Sequence, residues 1–244
     1  RMPAPRQAFW EQMLDVMGIS CDTPPAQLAN IPDSGAAIVV ANHPHGLVDG
    51  LLLAQLIGQR RSDYRILTRS ILTGIDEEAS KHMIPVPFPH EPDAARKMLA
   101  MRSAAMNHLA QGGIVALFPS GAVASSKSMF GPAIEQEWNI FTTKMIRVSG
   151  AAVVPIFFSG SNSRAYQIAN QISPTLRQGL LLHEIVHAVN KPQAPVIGPA
   201  ICGAEIEQRI TDPRGFAAWL RAQVLNLGIE KNVPPALYQH GPKS

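Results

Sequence analysis

The stretch AIVVANHPHGLVDG at residues 37–50 decides the fold and the place of the chemistry. Its small and β-branched residues carry no charge before Asn42, which predicts a strand over residues 36–41 that is buried on both faces. A polar turn beginning at Asn42 and His43 follows, and an apolar helix is predicted over residues 46–56. Buried strands that lead through turns into helices are typical of α/β proteins.

The same alternation continues along the chain. Further strands are predicted at residues 64–68, 83–86, 114–118 and 152–158, and further helices at residues 71–81, 92–111, 137–148 and 212–227. The 21 prolines break the chain into short elements and argue against an all-helical bundle. We therefore predict one α/β domain with a mixed, mostly parallel sheet that is flanked by helices.

Composition excludes several classes of protein. Of 244 residues, 46% are hydrophobic and 16% are charged, which is unlike a disordered chain. The formal net charge of +3 is too small to indicate a nucleic-acid-binding protein. Cys21 and Cys202 are far apart and are expected to be reduced thiols, as on a cytosolic face. No uncharged run is long and apolar enough to predict a membrane-spanning helix.

The N-terminal segment has an apolar stripe at helical spacing. Two interpretations of this amphipathic helix stay open, because the stripe can pack on the core or lie in a membrane interface. Its members are Phe9, Trp10, Met13, Leu14 and Met17.

Three predicted strand ends carry polar or glycine-rich sequence, and ligands of α/β sheets bind at such ends. After the first strand come His43 and Asp49, a residue pair in which an imidazole acts as general base and a carboxylate orients it. After the fourth comes Phe118-Pro119-Ser120-Gly121, a turn whose backbone N–H groups near Gly121 can approach an oxyanion. The third such end runs from Val154-Pro155 into Gly160-Ser161-Asn162-Ser163-Arg164.

In order and spacing, these segments resemble the lysophospholipid acyltransferases of the glycerolipid acyltransferase superfamily, over residues 36–200. Asn42-His43 and Asp49 fall on the first motif, whose histidine is the catalytic base and whose aspartate orients it. Residues 118–121 fall on the Phe-Pro-Glu-Gly motif, and residues 154–156 fall on the apolar motif that closes the site. We expect residues 1–30 to form the N-terminal amphipathic helix and a connector, and residues 31–244 to form the domain that carries the acyltransferase resemblance.

Departures from the motifs narrow the resemblance. Five residues separate His43 from Asp49 where the family has four, and counting from His45 gives three. We choose His43 because it directly follows Asn42 at the strand end. Ser120 replaces the motif glutamate, Ala122 replaces the threonine, and no arginine ends the strand at 83–86. These absences count against a lysophosphatidate acceptor, and the chain is more similar to the lyso-ornithine-lipid acyltransferases.

The resemblance implies transfer of an acyl group from an acyl-carrier protein or coenzyme A thioester to the free hydroxyl of a lyso-aminolipid. It implies no cofactor beyond that co-substrate and no metal. We expect peripheral contact with the cytoplasmic face of the inner membrane through the N-terminal stripe and exposed residues such as Phe88 or Phe130. The residues expected to bind substrate are Asn42, Phe118, Pro119, Ser120, Gly121, Arg69, Asn162 and Arg164.

Three alternatives remain. His183-Glu184-Ile185-Val186-His187 is a complete His-Glu-x-x-His pattern, which on a helix binds zinc, with Glu207 downstream as a third ligand. A non-catalytic lipid-binding protein on the same fold would explain the shifted spacing of the first motif. A lysophosphatidate acyltransferase would keep the mechanism and change the acceptor.

Overall fold

The computed structural model describes residues 7–69 and 76–230. The strands of this part of the chain are β1 (Ala37–Ala41), β2 (Tyr64–Arg69), β3 (Met83–Val86), β4 (Ile114–Leu117), β5 (Ser125–Ser126), β6 (Ala133–Ile134), β7 (Ala152–Phe157) and β8 (Val196–Ile197). The helices are α1 (Gln7–Val16), α2 (Pro25–Leu28), α3 (Leu47–Gly58), α4 (Glu77–Ser80), α5 (Ala94–Ala110), α6 (Ile140–Ser149), α7 (Arg164–Ile172), α8 (Pro174–Ala188), α9 (Ala204–Glu207) and α10 (Pro213–Glu230).

Six of the strands form one sheet in the order β3-β2-β4-β1-β7-β8. The first five strands in this order are parallel, and β8 runs antiparallel to β7. The predicted α/β domain with a mixed, mostly parallel sheet is therefore confirmed. Strand β1 lies between β4 and β7, so that Val39 is paired with Ala116 on one side and with Val154 on the other.

Helices cover both faces of this sheet. Ala37, Val39 and Ala41 of β1 face a core that includes residues of α1 and α3. Ile38 and Val40 face the opposite core, which includes residues of α5, α6 and α10. All five residues of β1 are buried, because successive side chains of a strand point to opposite faces and both faces are covered.

Each strand predicted from the sequence is present within a residue or two of its predicted bounds. The helix predicted at 137–148 begins only at Ile140, because the side chain of Asn139 caps it by accepting the Phe141 N–H. The helix predicted at 71–81 is described only as α4, since residues 70–75 lie outside the described residues. The elements that were not predicted are α2, the β5–β6 hairpin, α7, α8, β8 and α9.

Helix α1 packs on the core. Trp10 and Leu14 are buried, and the Trp10 indole N–H donates to the Tyr64 hydroxyl at 2.7 Å. Phe9 and Met17 pack against the same core. Trp10 and Leu14 are therefore covered by protein, whereas Met13 of the same stripe is 38% exposed, and contact of the stripe with a membrane stays a prediction. Among the described helices, none is both long and apolar enough to cross a bilayer.

Candidate active site

The carboxyl ends of the three central strands meet at one edge of the sheet. Asn42 and His43 directly follow β1, Phe118 follows β4, and Phe158 follows β7. Because β1 lies between the other two strands, the polar turn after it is enclosed on both sides. The fold therefore brings the three predicted strand-end segments together, as expected for a ligand site of an α/β sheet.

Asn42 joins the ends of β1 and β7. Its amide Nδ2 donates to the Phe158 carbonyl at 2.8 Å, and its Oδ1 accepts the Phe158 N–H at 2.8 Å. The side chain is buried, so these two bonds satisfy an amide that would otherwise be costly to bury. Asn42 thus holds the turn that carries His43, and its contact with a substrate stays a prediction.

Asp49 lies in the first turn of α3 and is completely buried. Its Oδ2 accepts the backbone N–H groups of His45 at 2.8 Å and of Gly46 at 3.0 Å. Gly46 adopts a φ of 89°, a conformation that favours glycine and that turns the chain into the helix. A carboxylate at this position also interacts favourably with the positive end of the helix dipole.

Two imidazoles bind the Asp49 carboxylate. Nδ1 of His43 lies 3.0 Å from Oδ2, and Nδ1 of His45 lies 3.1 Å from Oδ1. Burial raises the pKa of Asp49, but the hydrogen bonds from His43 and His45 outweigh burial and bring that pKa well below its usual value. Asp49 is therefore ionised at neutral pH, and the two Nδ1 atoms carry the protons that it accepts.

The ring of His43 is fixed from several sides. It stacks on Phe118, with ring centroids 3.9 Å apart and ring planes 17° apart. Its backbone N–H donates to Glu135 at 3.1 Å, and its carbonyl accepts the Ala124 N–H at 2.8 Å. Since Nδ1 faces Asp49, Nε2 is the atom left to accept a proton from a substrate.

The turn at residues 118–121 is held together by its own backbone. Gly121, with a φ of 67°, donates its N–H to the Phe118 carbonyl at 2.9 Å. The hydroxyl of Ser120 donates to the Ala122 carbonyl at 2.9 Å, and Pro119 is buried. The N–H of Gly121 is therefore already bound, so a backbone oxyanion donor would have to come from a neighbouring residue of the turn.

Arg69, at the end of β2, contacts the turn at residues 118–121. Its guanidinium donates to the Gly121 carbonyl at 3.0 Å and lies 4.9 Å from the centre of the Phe88 ring. Among the predicted substrate-binding residues, Arg69 is the cation that the fold joins to the turn of the Phe118 segment. A guanidinium at this rim is suited to an acidic group.

Asn162 and Arg164 lie in the segment that follows β7, Asn162 in the loop and Arg164 at the first position of α7. Asn162 is buried, and its Nδ2 has no hydrogen-bond partner within residues 7–69 and 76–230. Arg164 is exposed and donates to the Gly131 carbonyl at 2.8 Å, which ties α7 to the loop of the β5–β6 hairpin. The structure thus places Arg164 beside that loop, and both residues' contacts with a substrate stay predictions.

Sequence reasoning missed Glu135, which follows β6. One carboxylate oxygen accepts the His43 backbone N–H, and the other accepts the Trp138 indole N–H at 3.1 Å. Burial raises the pKa of Glu135. Its separation from His43 along the chain left no local signal in the sequence.

The acyltransferase family model matches residues 26–169, which include the His43–Asp49 turn and the Phe118 turn and make up more than half of the chain. The chain belongs to the acyltransferase family. The chain is also 30% identical over 149 residues to a lyso-glycine lipid O-acyltransferase of Phocaeicola vulgatus, covering 59% of this chain and 49% of the relative. It thus spans about half the length of the curated relative that it matches.

These comparisons confirm the superfamily predicted from the motifs, and the glycine-lipid relative supports an aminolipid branch. The catalytic and substrate-binding roles of single residues in this acyltransferase stay predictions.

The His-Glu-x-x-His pattern has a structural role in this acyltransferase. Glu184 of α8 is buried. One of its carboxylate oxygens accepts the Ser163 backbone N–H at 2.7 Å, and the other accepts the Ser163 hydroxyl at 2.5 Å. Ser163 in turn caps α7 by accepting the Tyr166 N–H. His183 and His187 are exposed, and the described part of the chain contains no cluster of three or more potential metal ligands. The pattern therefore joins α8 to α7.

Proposed function

We propose that this acyltransferase moves a fatty acyl group from an acyl thioester to the free hydroxyl of a lyso-aminolipid. The observation that carries the proposal is the His43–Asp49 pair at the carboxyl end of β1, with the Nε2 of His43 left for the substrate. The similarity to a lyso-glycine lipid enzyme supports the class of acceptor.

His43 acts as the general base in the proposed reaction. Its Nε2 takes the proton of the acceptor hydroxyl, and Asp49 stabilises the imidazolium that forms. The hydroxyl oxygen attacks the thioester carbon, so that a C–O bond forms and the C–S bond then breaks. The thiolate leaves and takes the proton back from His43. No covalent enzyme intermediate, metal or resident cofactor takes part, and the thioester of acyl-carrier protein or coenzyme A is a co-substrate.

The residues around the turn after β4 favour an aminolipid over lysophosphatidate. The phosphate-handling members of the family have a glutamate where this chain has Ser120, and an arginine after the strand that corresponds to β3. Here the Ser120 hydroxyl donates to the Ala122 carbonyl, and the Arg69 guanidinium donates to the Gly121 carbonyl of the turn. One guanidinium suits a single carboxylate or sulfonate of a head group.

Membrane contact is proposed through the loop of the β5–β6 hairpin. Phe130 at its tip is 83% exposed, and the neighbouring Met129 is also exposed. Lys127 and Arg164 lie beside them and suit an anionic lipid surface. Ala124, which directly precedes the hairpin, donates its N–H to the His43 carbonyl, so a lipid at the tip of the hairpin would lie near the site.

A liposome experiment tests this surface. The double variant Met129→Ser with Phe130→Ser is expected to lose at least three-quarters of its sedimentation with anionic liposomes. Val148→Ser is a matched control, because Val148 is 70% exposed on α6 and lies outside the hairpin. Equal sedimentation of the wild type and the double variant would contradict the proposal.

Acyl transfer by the purified protein tests the function itself. Donors are acyl-carrier protein and coenzyme A thioesters, and acceptors are lyso-glycine lipid, lyso-ornithine lipid and lysophosphatidate. We expect diacylated aminolipid from the wild type, at least 10²-fold less from His43→Ala, and full activity from His187→Ala, an exposed histidine of α8. Product from lysophosphatidate alone would overturn the acceptor class, and no product from any pair would favour a lipid-binding protein.

A further inference from the structure

The Asp49 carboxylate also binds the imidazole of His45, which has no role in the proposed reaction as described above. His43 and His45 bind different oxygens of this carboxylate at nearly equal distances. Their side chains are 17% and 15% exposed, so that solvent or a substrate can reach both. Because each Nδ1 faces Asp49, each ring directs its Nε2 away from the carboxylate.

The two rings lie on opposite sides of β1. His43 stacks on Phe118 after β4, whereas His45 lies against Gly160 after β7. A Cβ atom at Gly160 would lie 2.6 Å from the Nε2 of His45, so any side chain there would cover this nitrogen. Within residues 7–69 and 76–230, neither Nε2 atom has a hydrogen-bond partner.

Counting charges gives the second imidazole a role. The buried Asp49 is negative, and a single proton added to the imidazole pair makes the three groups neutral. When His43 then takes the hydroxyl proton, the pair holds two positive charges. A negative oxygen on the tetrahedral intermediate restores neutrality, and a cationic donor close to that oxygen favours its formation. Glu135, which accepts the His43 backbone N–H, is a further titratable group in contact with the pair.

The oxyanion needs a donor that the turn after β4 does not supply from Gly121. The N–H of Gly121 is bound to the Phe118 carbonyl. A protonated His45 has an Nε2–H without a partner among the residues described, on the same carboxylate as the base. A hydrogen bond from an imidazolium to an oxyanion is charge-assisted and roughly twice as strong as a bond between neutral groups.

We infer that His45, in its protonated form, donates its Nε2–H to the thioester oxygen as the tetrahedral intermediate forms. This inference rests on the proposed acyl transfer. His43 takes the proton of the acceptor hydroxyl and returns it to the thiolate, while His45 keeps its own proton throughout. The C–O bond forms, the C–S bond breaks, and the imidazole pair ends the cycle with the single proton with which it began.

Two substitutions of His45 separate a catalytic role from a structural one. In His45→Asn, the amide takes the place of Nδ1 and still reaches Asp49, but nothing replaces Nε2. In His45→Gln, the longer side chain puts a neutral N–H donor near the former Nε2. We expect kcat to fall about 10²–10³-fold in the Asn variant, with each KM within about threefold of wild type. The kcat of the Gln variant should be at least tenfold higher than that of the Asn variant.

The pH profile gives a readout that a structural role would not change. If His45 donates as an imidazolium, its deprotonation removes the Nε2–H, whereas the amide N–H of the Gln variant does not titrate; the ratio of the Gln-variant rate to the wild-type rate should therefore rise as pH rises. Thermal unfolding checks that both variants fold. If the Asn variant does not fold, the rate of the Gln variant at alkaline pH tests the role of His45.

A kcat of the Asn variant within threefold of wild type would overturn the role of His45 and leave the proposed function standing. The same result would follow if the rate of the Gln variant depended on alkaline pH in the same way as the wild-type rate. A wild type that acylates no lysolipid would overturn the proposed function, and the role of His45 with it.

Discussion

Replacing Asp49 by asparagine tests the centre of the site, because the side chain keeps its size and changes only its charge and one acceptor. Oδ2 of Asp49 accepts from His43, from the His45 backbone and from the Gly46 backbone, whereas Oδ1 accepts from the His45 ring. The amide oxygen of the introduced asparagine is therefore expected at the Oδ2 position, with its NH₂ facing His45. His43 keeps a hydrogen bond but loses the negative charge that stabilises its imidazolium.

The expected loss in kcat/KM for Asp49→Asn is about 10³-fold, or roughly 4 kcal/mol of transition-state stabilisation. Acyl transfer to a lyso-aminolipid is the assay, and Asp22→Asn, at an exposed aspartate, is the matched control. KM for the donor should stay within about threefold, because the change affects the chemical step. An Asn variant that retains a third or more of the wild-type rate would refute the role assigned to Asp49.

The same variant carries a pH signature in stability. The folded state lowers the pKa of Asp49, so this group stabilises the fold above the ordinary aspartate pKa of about 3.9, and the contribution is lost as pH falls through the lowered folded value. At pH 7 we expect the Asn variant to be less stable by about 2 kcal/mol, the value of a charged hydrogen bond. Urea unfolding followed by tryptophan fluorescence should show this gap narrowing below about pH 4, as the unfolded aspartate becomes protonated.

Three further changes test the supporting contacts. Because burial raises the pKa of Glu135, wild-type stability should fall as pH rises from the ordinary glutamate range through that raised pKa, and Glu135→Gln should lack this fall in urea titrations between pH 4 and 8. Phe118→Ala removes the ring stacked on His43 and should lower kcat about tenfold, with recovery in Phe118→Tyr; an unchanged kcat would argue that the stack is not needed. Glu184→Ala removes two hydrogen bonds to Ser163 and should lower the free energy of unfolding by about 2 kcal/mol, while the rate per folded molecule stays unchanged. A chelator should not change the wild-type rate, and a chelator-sensitive wild type would revive the zinc interpretation.

Much of the sheet could be predicted because its strands are buried on both faces. Such a strand must be apolar along its whole length, and residues 37–41 and 114–117 show this directly in the sequence. Helix starts were less predictable, since a cap such as Asn139 depends on one side chain. The role of α1 depended on a partner 54 residues away, the Tyr64 hydroxyl that binds Trp10, and periodicity alone could not supply it.

The candidate site, like the fold, could be predicted from the sequence only in part. His43 and Asp49 were predicted because they lie six positions apart in one turn, where a short motif carries the signal. The bond from His45 to the same carboxylate was not predicted, because it depends on the backbone path through Gly46. Glu135 was missed, because nothing local links it to a histidine 92 positions earlier.

The sequence by itself determined the α/β class, the family, and the pairing of an imidazole with a carboxylate after the first strand. These properties depend on residues that are close along the chain, so that their order and spacing carry the information. Only the tertiary structure decided that two imidazoles share Asp49, that Phe118 stacks on one of them and that Gly160 leaves room beside the other. The physical reason is that β1, β4 and β7 become neighbours only when the sheet forms, and side chains from distant parts of the chain then meet at their carboxyl ends.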